Sequence, residues 1–403
     1  MNPLILKKGR ERSLKRRHPW IFSGAVEKGG GKPGETVQVR DASGQPLALA
    51  AYSPKSQIRA RVWTFDATES VDISFFRNRI QRALALREAL PAAKHTNALR
   101  VVNGESDGLP GLVVDRYADV LVAQFLAAGV EQWRDPILDS LSEISACEAI
   151  FERSDAEVRK LEGLEPRVGW ARGANAKALA GSGNRDAGRC PILEHGLNFR
   201  VDVEQGQKTG FFLDQRENRQ RVRALAAGRD VLDGFCYTGG FSIAALAGGA
   251  RRVTAVESSK DAIQIARENL AANPLDASKI EFLQADVFSQ LRTLRDKNAK
   301  FDLIVLDPPK FAPTAAQVKN AARAYKDINL WALKLLAPGG LLATFSCSGG
   351  VSAELFQSIV AGAALDAGAE AKIIERFTAA ADHPVALEFP EGEYLKGLLV
   401  LKG

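Results

Sequence analysis

The spacing of apolar and polar positions changes character along the chain. Up to about residue 70 it is strand-like. Thr36-Val37-Gln38-Val39 alternates, Asp41-Ala42-Ser43-Gly44 is a turn signal, and Leu47 to Ala51 and Ile58 to Phe65 read as further strands. Several short strands joined by such turns predict a small barrel or sandwich. Between 71 and 188 the pattern is mixed. A helix is expected from Ser74 to Leu90, with Ser74 as its N-cap and Phe76, Ile80, Leu84 and Arg87 on one stripe. A hairpin follows, Gly111 to Arg116 and Val120 to Leu126, then a helix near Val130 to Ile144 and a strand at Ala149 to Glu152. The stretch from Gly169 to Gly188, rich in Gly, Ala and Asn, reads as loop or linker.

From 189 to 403 strand and helix patterns alternate. Strands are expected at Asp230 to Asp233, Arg252 to Glu257, Ile280 to Leu283, Leu303 to Leu306 and Leu341 to Phe345, with helical patterns such as Lys260 to Asn269 between them. Repeated βα units mean a mostly parallel, doubly wound sheet, and Tyr394 to Leu401 reads as its last strand. The expected organisation is therefore a small β domain over 1–70, a central α/β domain over 71–188, and a Rossmann-like α/β domain over 189–403.

Composition narrows the class. A chain of 403 residues, 46% hydrophobic and 25% charged, suits two or three globular domains. The longest apolar segment, Leu330 to Cys347, is broken by Lys334 and Pro338-Gly339-Gly340, so no membrane span is expected. The N-terminus turns basic at once and has no signal-like apolar core, which points to the cytoplasm. Cys147, Cys190, Cys236 and Cys347 are too far apart in sequence for zinc-ligand spacing, so no metal is expected. The net charge of +6 hints at a polyanionic partner. Seven Lys or Arg residues stand against one Glu between Lys7 and Arg17, a run that would otherwise be a solvated terminus.

Ligands of doubly wound sheets bind beyond the carboxyl ends of the strands. The first such end reads Asp233-Gly234-Phe235-Cys236-Tyr237-Thr238-Gly239-Gly240-Phe241. Its glycines allow close backbone approach, but the spacing is not that of a dinucleotide loop. An acid opening the loop suits a cationic, amino-acid-bearing cofactor better than a pyrophosphate, which points to S-adenosylmethionine. Phe235, Tyr237 and Gly239 would line that loop. Glu257, ending the second strand, can accept both ribose hydroxyls, and Asp286 can meet the adenine amino group. Each acid alone could be a cap or turn residue; three at successive strand ends make a nucleoside-cofactor site.

The fourth strand ends Asp307-Pro308-Pro309-Lys310-Phe311, a stiff turn able to bond the amino edge of a flipped base, with Phe311 available for stacking. The next leads into Ser346-Cys347-Ser348-Gly349-Gly350. A cytosine C5 is too weak a nucleophile to take a methyl directly, and a thiolate adding to C6 makes it enamine-like. Cys347 is the candidate nucleophile and Asp307 its neighbour. Cys236 is assigned to packing near the cofactor.

Leu6-Lys7-Lys8-Gly9-Arg10-Glu11-Arg12-Ser13-Leu14 with Arg17-His18-Pro19-Trp20-Ile21-Phe22-Ser23-Gly24 resembles the start of the bacterial 23S ribosomal RNA large subunit methyltransferase I family. The resemblance continues through Gly104-Glu105-Ser106-Asp107-Gly108-Leu109-Pro110-Gly111, Lys208 to Arg216, Tyr237 to Phe241, Asp307 to Phe311, Tyr325-Lys326-Asp327-Ile328-Asn329 and Ser346-Cys347-Ser348. It implies a cytosine-5 methyltransferase of 23S rRNA, with an N-terminal PUA domain, a central α/β domain and a C-terminal class I methyltransferase domain. It places the catalytic cysteine at Cys347, the cofactor acids at Asp233, Glu257 and Asp286, and Asp307 in the base-binding motif. Gln215 and Arg216 would help close the cofactor pocket. With a PUA domain implied, Lys7, Lys8, Arg10, Arg12, Lys15, Arg16 and Arg17 become phosphate contacts, while Trp20 and Phe22 are expected in the barrel core. Two rival readings stay open: methylation of an exocyclic amine of adenine or guanine, suggested by Asp307-Pro308-Pro309, and a non-catalytic RNA-binding assembly factor. Residue chemistry alone does not separate cytosine from uracil, naked rRNA from a precursor particle, or a monomer from a homodimer.

Overall fold

The computed structural model describes residues 3–173, 188–311 and 317–403. They form two compact units. The first comprises Met1–Gly196, Val201–Leu213 and Ala381–Gly392, and the second Leu197–Arg200, Asp214–Ala380 and Glu393–Gly403.

In the first unit, β1 (Leu4–Leu6), β2 (Trp20–Phe22), β3 (Val26–Gly29), β4 (Thr36–Arg40), β5 (Pro46–Tyr52) and β6 (Ile58–Thr64) form one sheet in the order β2-β6-β5-β4-β1-β3. Only β1 and β4 are parallel partners. Alternation drives Leu4, Leu6, Ile21, Val37, Val39, Ala60 and Val62 into one core. The same alternation corrects the expectation for Trp20 and Phe22. With Ile21 inward, its two neighbours share the opposite face: Phe22 is 49% exposed, and half-buried Trp20 donates Nε1–H to Glu105 at 2.8 Å. The short helix α1 (Arg12–Lys15) buries only Leu14, so Lys7, Lys8, Arg10, Arg12, Lys15, Arg16 and Arg17 are all exposed.

A second sheet runs β11-β10-β9-β8-β7, from β7 (Ala98–Asn103), β8 (Leu112–Tyr117), β9 (Val120–Phe125), β10 (Ala149–Ser154) and β11 (Arg167–Gly173). It packs against α2 (Ile73–Ala89), α3 (Ala128–Gln132) and α4 (Arg134–Ile144), so the single helix expected near Val130 to Ile144 is two; α5 (Val158–Glu162) follows β10. The N-cap of α2 is Asp72, not Ser74: its carboxylate accepts the Phe75 N–H at 2.9 Å, which leaves Ser74 inside the first turn. Gly169 to Gly173 is strand rather than loop, because Trp170 pairs with Phe151 across β10 and β11 with ring centroids 5.0 Å apart. The remainder of that expected linker, 174–187, lies outside the described residues.

Arg87, on the buried stripe of α2, is 0% exposed. It makes a two-pronged contact with Asp107 at 2.7 Å per prong and also donates to the carbonyls of Arg100 and Asp382. The segment Ala381–Gly392 is thereby tied into this unit, with Asp382 also accepting the Arg100 N–H at 2.8 Å.

The strands β12 (Arg189–Glu194) and β13 (Leu197–Asp202) make a small sheet of their own. The second unit is built on seven strands: β14 (Asp230–Gly234), β15 (Arg252–Glu257), β16 (Ile280–Gln284), β17 (Phe301–Leu306), β18 (Leu336–Ser346), β19 (Ala371–Phe377) and β20 (Lys396–Lys402). Their order is β16-β15-β14-β17-β18-β20-β19. Pairing is parallel through β18, and β20 is antiparallel to both neighbours. The helices are α6 (Arg216–Leu225), α7 (Gly240–Ala247), α8 (Lys260–Ala271), α9 (Val287–Asp296), α10 (Val318–Leu335) and α11 (Ala353–Ala367). The central strands are buried on both faces, as their continuous apolar runs require. Each fully buried Leu, Ile or Val contributes about 1.5–3 kcal/mol relative to exposure. That packing holds the strand ends rigid where the acids sit.

Candidate cofactor and catalytic site

The sheet order reverses between β14 and β17: from β14 the chain winds outward through β15 to β16, then returns to build β17 and β18 on the other side. A crevice opens at such a switch point. Along its carboxyl rim the expected residues follow in spatial order: Asp286 after β16, Glu257 ending β15, Asp233 near the end of β14, Asp307 after β17 and Cys347 after β18. At about 4.8 Å per strand, the rim spans roughly 19 Å.

Asp233 is 1% exposed. Oδ2 accepts the Ser242 hydroxyl at 2.6 Å, while Oδ1 is buried with no hydrogen-bond partner among the described residues. Burial pushes its carboxyl up to about 7; Asp307 and Glu257 push the same way, and the Ser242 bond opposes them. A buried acceptor with no donor is costly unless something supplies one. An ammonium-bearing ligand does so and restores the charge.

The loop after Asp233 is held in conformations L-residues seldom adopt. Phe235, Tyr237 and Gly239 have φ of 65°, 49° and 82°. Strain of this kind persists only where surroundings enforce it. Here Cys236 N–H donates to Val256 O at 3.1 Å, Tyr237 N–H donates to Glu257 Oε2 at 3.1 Å, and fully buried Asn269 donates to Thr238 O at 3.0 Å. A side chain at Gly239 would meet the Ala266 Cβ at 3.2 Å as well as the unfavourable φ.

Glu257 also accepts Ser259 N–H at 2.9 Å and the Ser258 hydroxyl at 3.1 Å through Oε1, which orients the carboxylate at the rim. Asp286 is exposed and caps α9, its Oδ1 accepting from both Ser289 N and Oγ at 2.9 Å. Gln215, just ahead of α6, is buried. Its Oε1 accepts from Asn218 at 2.6 Å, and Nε2 has no hydrogen-bond partner among the described residues. Arg216, the first residue of α6, is fully buried. These features fit a cationic nucleoside cofactor with an amino-acid tail: acids line the rim, and one buried oxygen awaits a donor.

On the other side of the switch point, Phe311 is half-buried rather than open. It packs on Tyr325 at 4.8 Å and Phe288 at 5.9 Å between ring centroids. Tyr325, from α10, is fully buried, and its hydroxyl sits 3.0 Å from the hydroxyls of both Ser346 and Ser348. The two residues flanking Cys347 are thus pinned to one phenol. Cys347 itself is half-buried against the opposite cluster, the one containing Phe345 and Phe377. Cys236 is buried, with its thiol pushed far up by burial, which suits packing and not nucleophilic attack.

Sequence reasoning misses Ser242, Asn269 and Tyr325. Tyr325 lies in Tyr325-Lys326-Asp327-Ile328-Asn329, a matching motif whose role the sequence does not disclose. The others are single polar residues on regular elements, and only the fold brings them to the rim. Among the described residues no cluster of His, Cys, Asp and Glu could hold a metal, and no helix is long and apolar enough to cross a membrane.

Comparison with known proteins agrees with this geometry. A family model for S-adenosylmethionine-dependent methyltransferases matches residues 178–390, and one for PUA-like domains matches 4–65. Curated relatives named ribosomal RNA large subunit methyltransferase I include one from Escherichia coli (strain SMS-3-5 / SECEC), 50% identical over 98% of both chains. Another, from Klebsiella pneumoniae, is 50% identical over 98% of this chain and 96% of its own. A solved protein from Streptococcus mutans, described as a SAM-dependent methyltransferase, is 23% identical with a TM-score of 0.85 over all of both chains, which establishes the shared fold. The cofactor is S-adenosylmethionine, and the chain belongs to the ribosomal RNA large subunit methyltransferase I family of S-adenosylmethionine-dependent methyltransferases.

Proposed function

We propose that the protein methylates C5 of one cytosine in 23S rRNA through a covalent adduct between Cys347 and C6 of the base. The observation that carries this reading is the position of Cys347: it follows the strand beside the Asp307 turn, on the same rim as the cofactor acids. S-adenosylmethionine, when bound, supplies the electrophilic methyl group that C5 takes up. Asp233 holds the cofactor's ammonium, Glu257 its ribose hydroxyls and Asp286 its adenine edge. Phe235, Tyr237 and Gly239 shape the loop around it, while Gln215 and Arg216 close the pocket. Asp307 bonds the amino edge of the flipped base, and the half-buried Phe311 ring, four residues on, is the one available to stack beside it.

The Cys347 thiolate adds to C6, and the C5–C6 π electrons make C5 nucleophilic. After C5 is methylated its proton leaves to a base, the C5–C6 double bond re-forms and the C6–S bond breaks, returning the thiolate. Lys7, Lys8, Arg10, Arg12, Lys15, Arg16 and Arg17 grip phosphates from the PUA-like domain. We also place the protein in the cytoplasm, acting on naked rRNA or a large-subunit precursor, and divide the chain at 1–70, 71–188 and 189–403.

The test is Cys347→Ala. Turnover should fall at least about a thousandfold with cofactor binding intact. RNA carrying 5-fluorocytosine should trap a thioether on Cys347, because fluorine cannot leave C5 as a cation. Wild-type turnover in Cys347→Ala would favour methylation of an exocyclic amine, which needs no thiol.

A further inference from the structure

The nucleophile reading requires something near Cys347 that favours its thiolate, and the structure offers a candidate on the last strand of the sheet. Strand β20 is the antiparallel neighbour of β18, and its first residue, Lys396, is paired in register with Ser346. The Lys396 side chain turns toward the loop that carries the thiol. Nζ donates to the carbonyls of Ser348 at 2.9 Å and Val351 at 2.7 Å, so the ammonium caps the Cys347–Val351 turn from within. The residue is half-buried, and the thiol of Cys347 lies within its electrostatic reach.

We propose that Lys396 is the positioning residue of Cys347: it fixes the loop through two carbonyls and presents a held cation that favours the thiolate over the thiol. The inference rests on Cys347 being the nucleophile.

Several observations support it. A lysine nitrogen bonded to two backbone carbonyls cannot swing away without losing both bonds. Lys396 starts an interior strand and is half-buried, so its charge is only partly solvated and acts at higher strength than a surface lysine's. Burial holds its pKa below the usual lysine value, while the neighbouring Cys347 and Glu393 pull the other way. Among the described residues, the other charged or titratable groups named against Lys396 and Tyr325 differ from it in sign or in solvation. Tyr325, facing from α10, is neutral with its phenol pushed up by burial. Asp307 and Glu393 are acids that oppose a thiolate. Lys310, in the Asp307 turn, is exposed and adds a solvated positive charge. A held cation near the thiol favours the attacking form, and a lysine fixed by carbonyls cannot itself consume the adduct.

The test reads Cys347 directly, without turnover. The full-length protein is alkylated with iodoacetamide across a pH series, with no RNA or cofactor present, and modification of Cys347 is followed by peptide mass spectrometry. Lys396→Met keeps the apolar stem and removes the charge; Lys396→Gln keeps a donor without charge. Both should move the alkylation midpoint to higher pH and slow the reaction at neutral pH about tenfold. Lys396→Arg should restore most of the neutral-pH rate. Tyr325→Phe, which loses the hydroxyl clamp but keeps the cation, should leave the midpoint in place. Retained S-adenosylmethionine binding reports that each variant is folded. An unmoved midpoint in both uncharged variants overturns the inference, as does an equal shift in Tyr325→Phe. Those results are independent of whether Cys347→Ala abolishes turnover, which tests the nucleophile reading separately.

Discussion

Replacing Asp233 with asparagine probes the buried end of the cofactor site. In the protein without cofactor, burial moves the Asp233 carboxyl from 3.8 to about 7. At about 1.4 kcal/mol per pH unit, the rise corresponds to about 4 kcal/mol. The sign follows from proton counting. Between about pH 4 and pH 7 the folded protein holds this proton and the unfolded chain has released it, so folding is progressively weakened as pH rises and the penalty is complete above 7. The Asp233→Asn side chain carries no charge to bury. The cofactor-free wild type should therefore lose stability from pH 5 to pH 8 relative to Asp233→Asn. From pH 5 to pH 7, two pH units at about 1.4 kcal/mol each, the relative loss is about 3 kcal/mol, which for a unit of this size is about 8 °C in Tm.

Cofactor affinity should show the opposite trend. Cationic S-adenosylmethionine needs the carboxylate, so wild-type binding should tighten by up to about tenfold per pH unit below 7 and then level off. In Asp233→Asn binding should be weaker and nearly flat with pH. Differential scanning calorimetry and isothermal titration of both proteins over pH 5–8 measure the two effects. A wild-type minus variant Tm difference that does not change with pH, or equal pH slopes of affinity, would refute the assignment of Asp233 as the buried acid that meets the cofactor's charge.

Arg87→Met should destabilise the first unit by about 3–5 kcal/mol, because it strands the buried Asp107 carboxylate and two carbonyls; urea denaturation followed by tryptophan fluorescence reads this directly. Gly239→Ala places a Cβ against Ala266 at 3.2 Å in a left-handed conformation. It should cost about 1–3 kcal/mol of stability and weaken S-adenosylmethionine binding in calorimetry. Removing Lys8, Arg10 and Arg16 together should weaken rRNA binding and lower the slope of log affinity against log salt by up to about 0.9 per lost phosphate contact. An unchanged slope in filter binding would move the RNA contact elsewhere.

Most of the parallel strands of the second unit are legible in the sequence because short apolar stretches, bounded by turn residues and alternating with helical patterns, read as strands of a βα sheet. Arg252 to Glu257 begins and ends as expected. The rim acids are legible by their place at or just past these strands: Asp233 and Glu257 lie within the last two residues of β14 and β15, Asp307 follows β17 directly, and Asp286 stands two residues past β16 as the cap of α9. What escapes are features set by partners far along the chain. Strand β19 (Ala371–Phe377) is mostly exposed and lacks the apolar signature, because only β20 pairs with it. Trp20 and Phe22 look like core residues by composition, yet the inward choice belongs to Ile21, and a one-residue change of phase reverses every assignment on a strand. Asp72 outcompetes Ser74 as a cap through two residues of helix start, which lies below what pattern alone resolves. Lys396 carries no sequence signal at all. It matters only because β20 runs antiparallel and brings its first residue beside the end of β18.

The central claim is tested most directly by incubating the protein with deproteinised 23S rRNA from a strain lacking the enzyme and with methyl-labelled S-adenosylmethionine, then resolving the nucleosides by mass spectrometry. The account predicts label in 5-methylcytidine at a single site. Label in a methylated adenosine or guanosine, with none at C5 of cytosine, would contradict it.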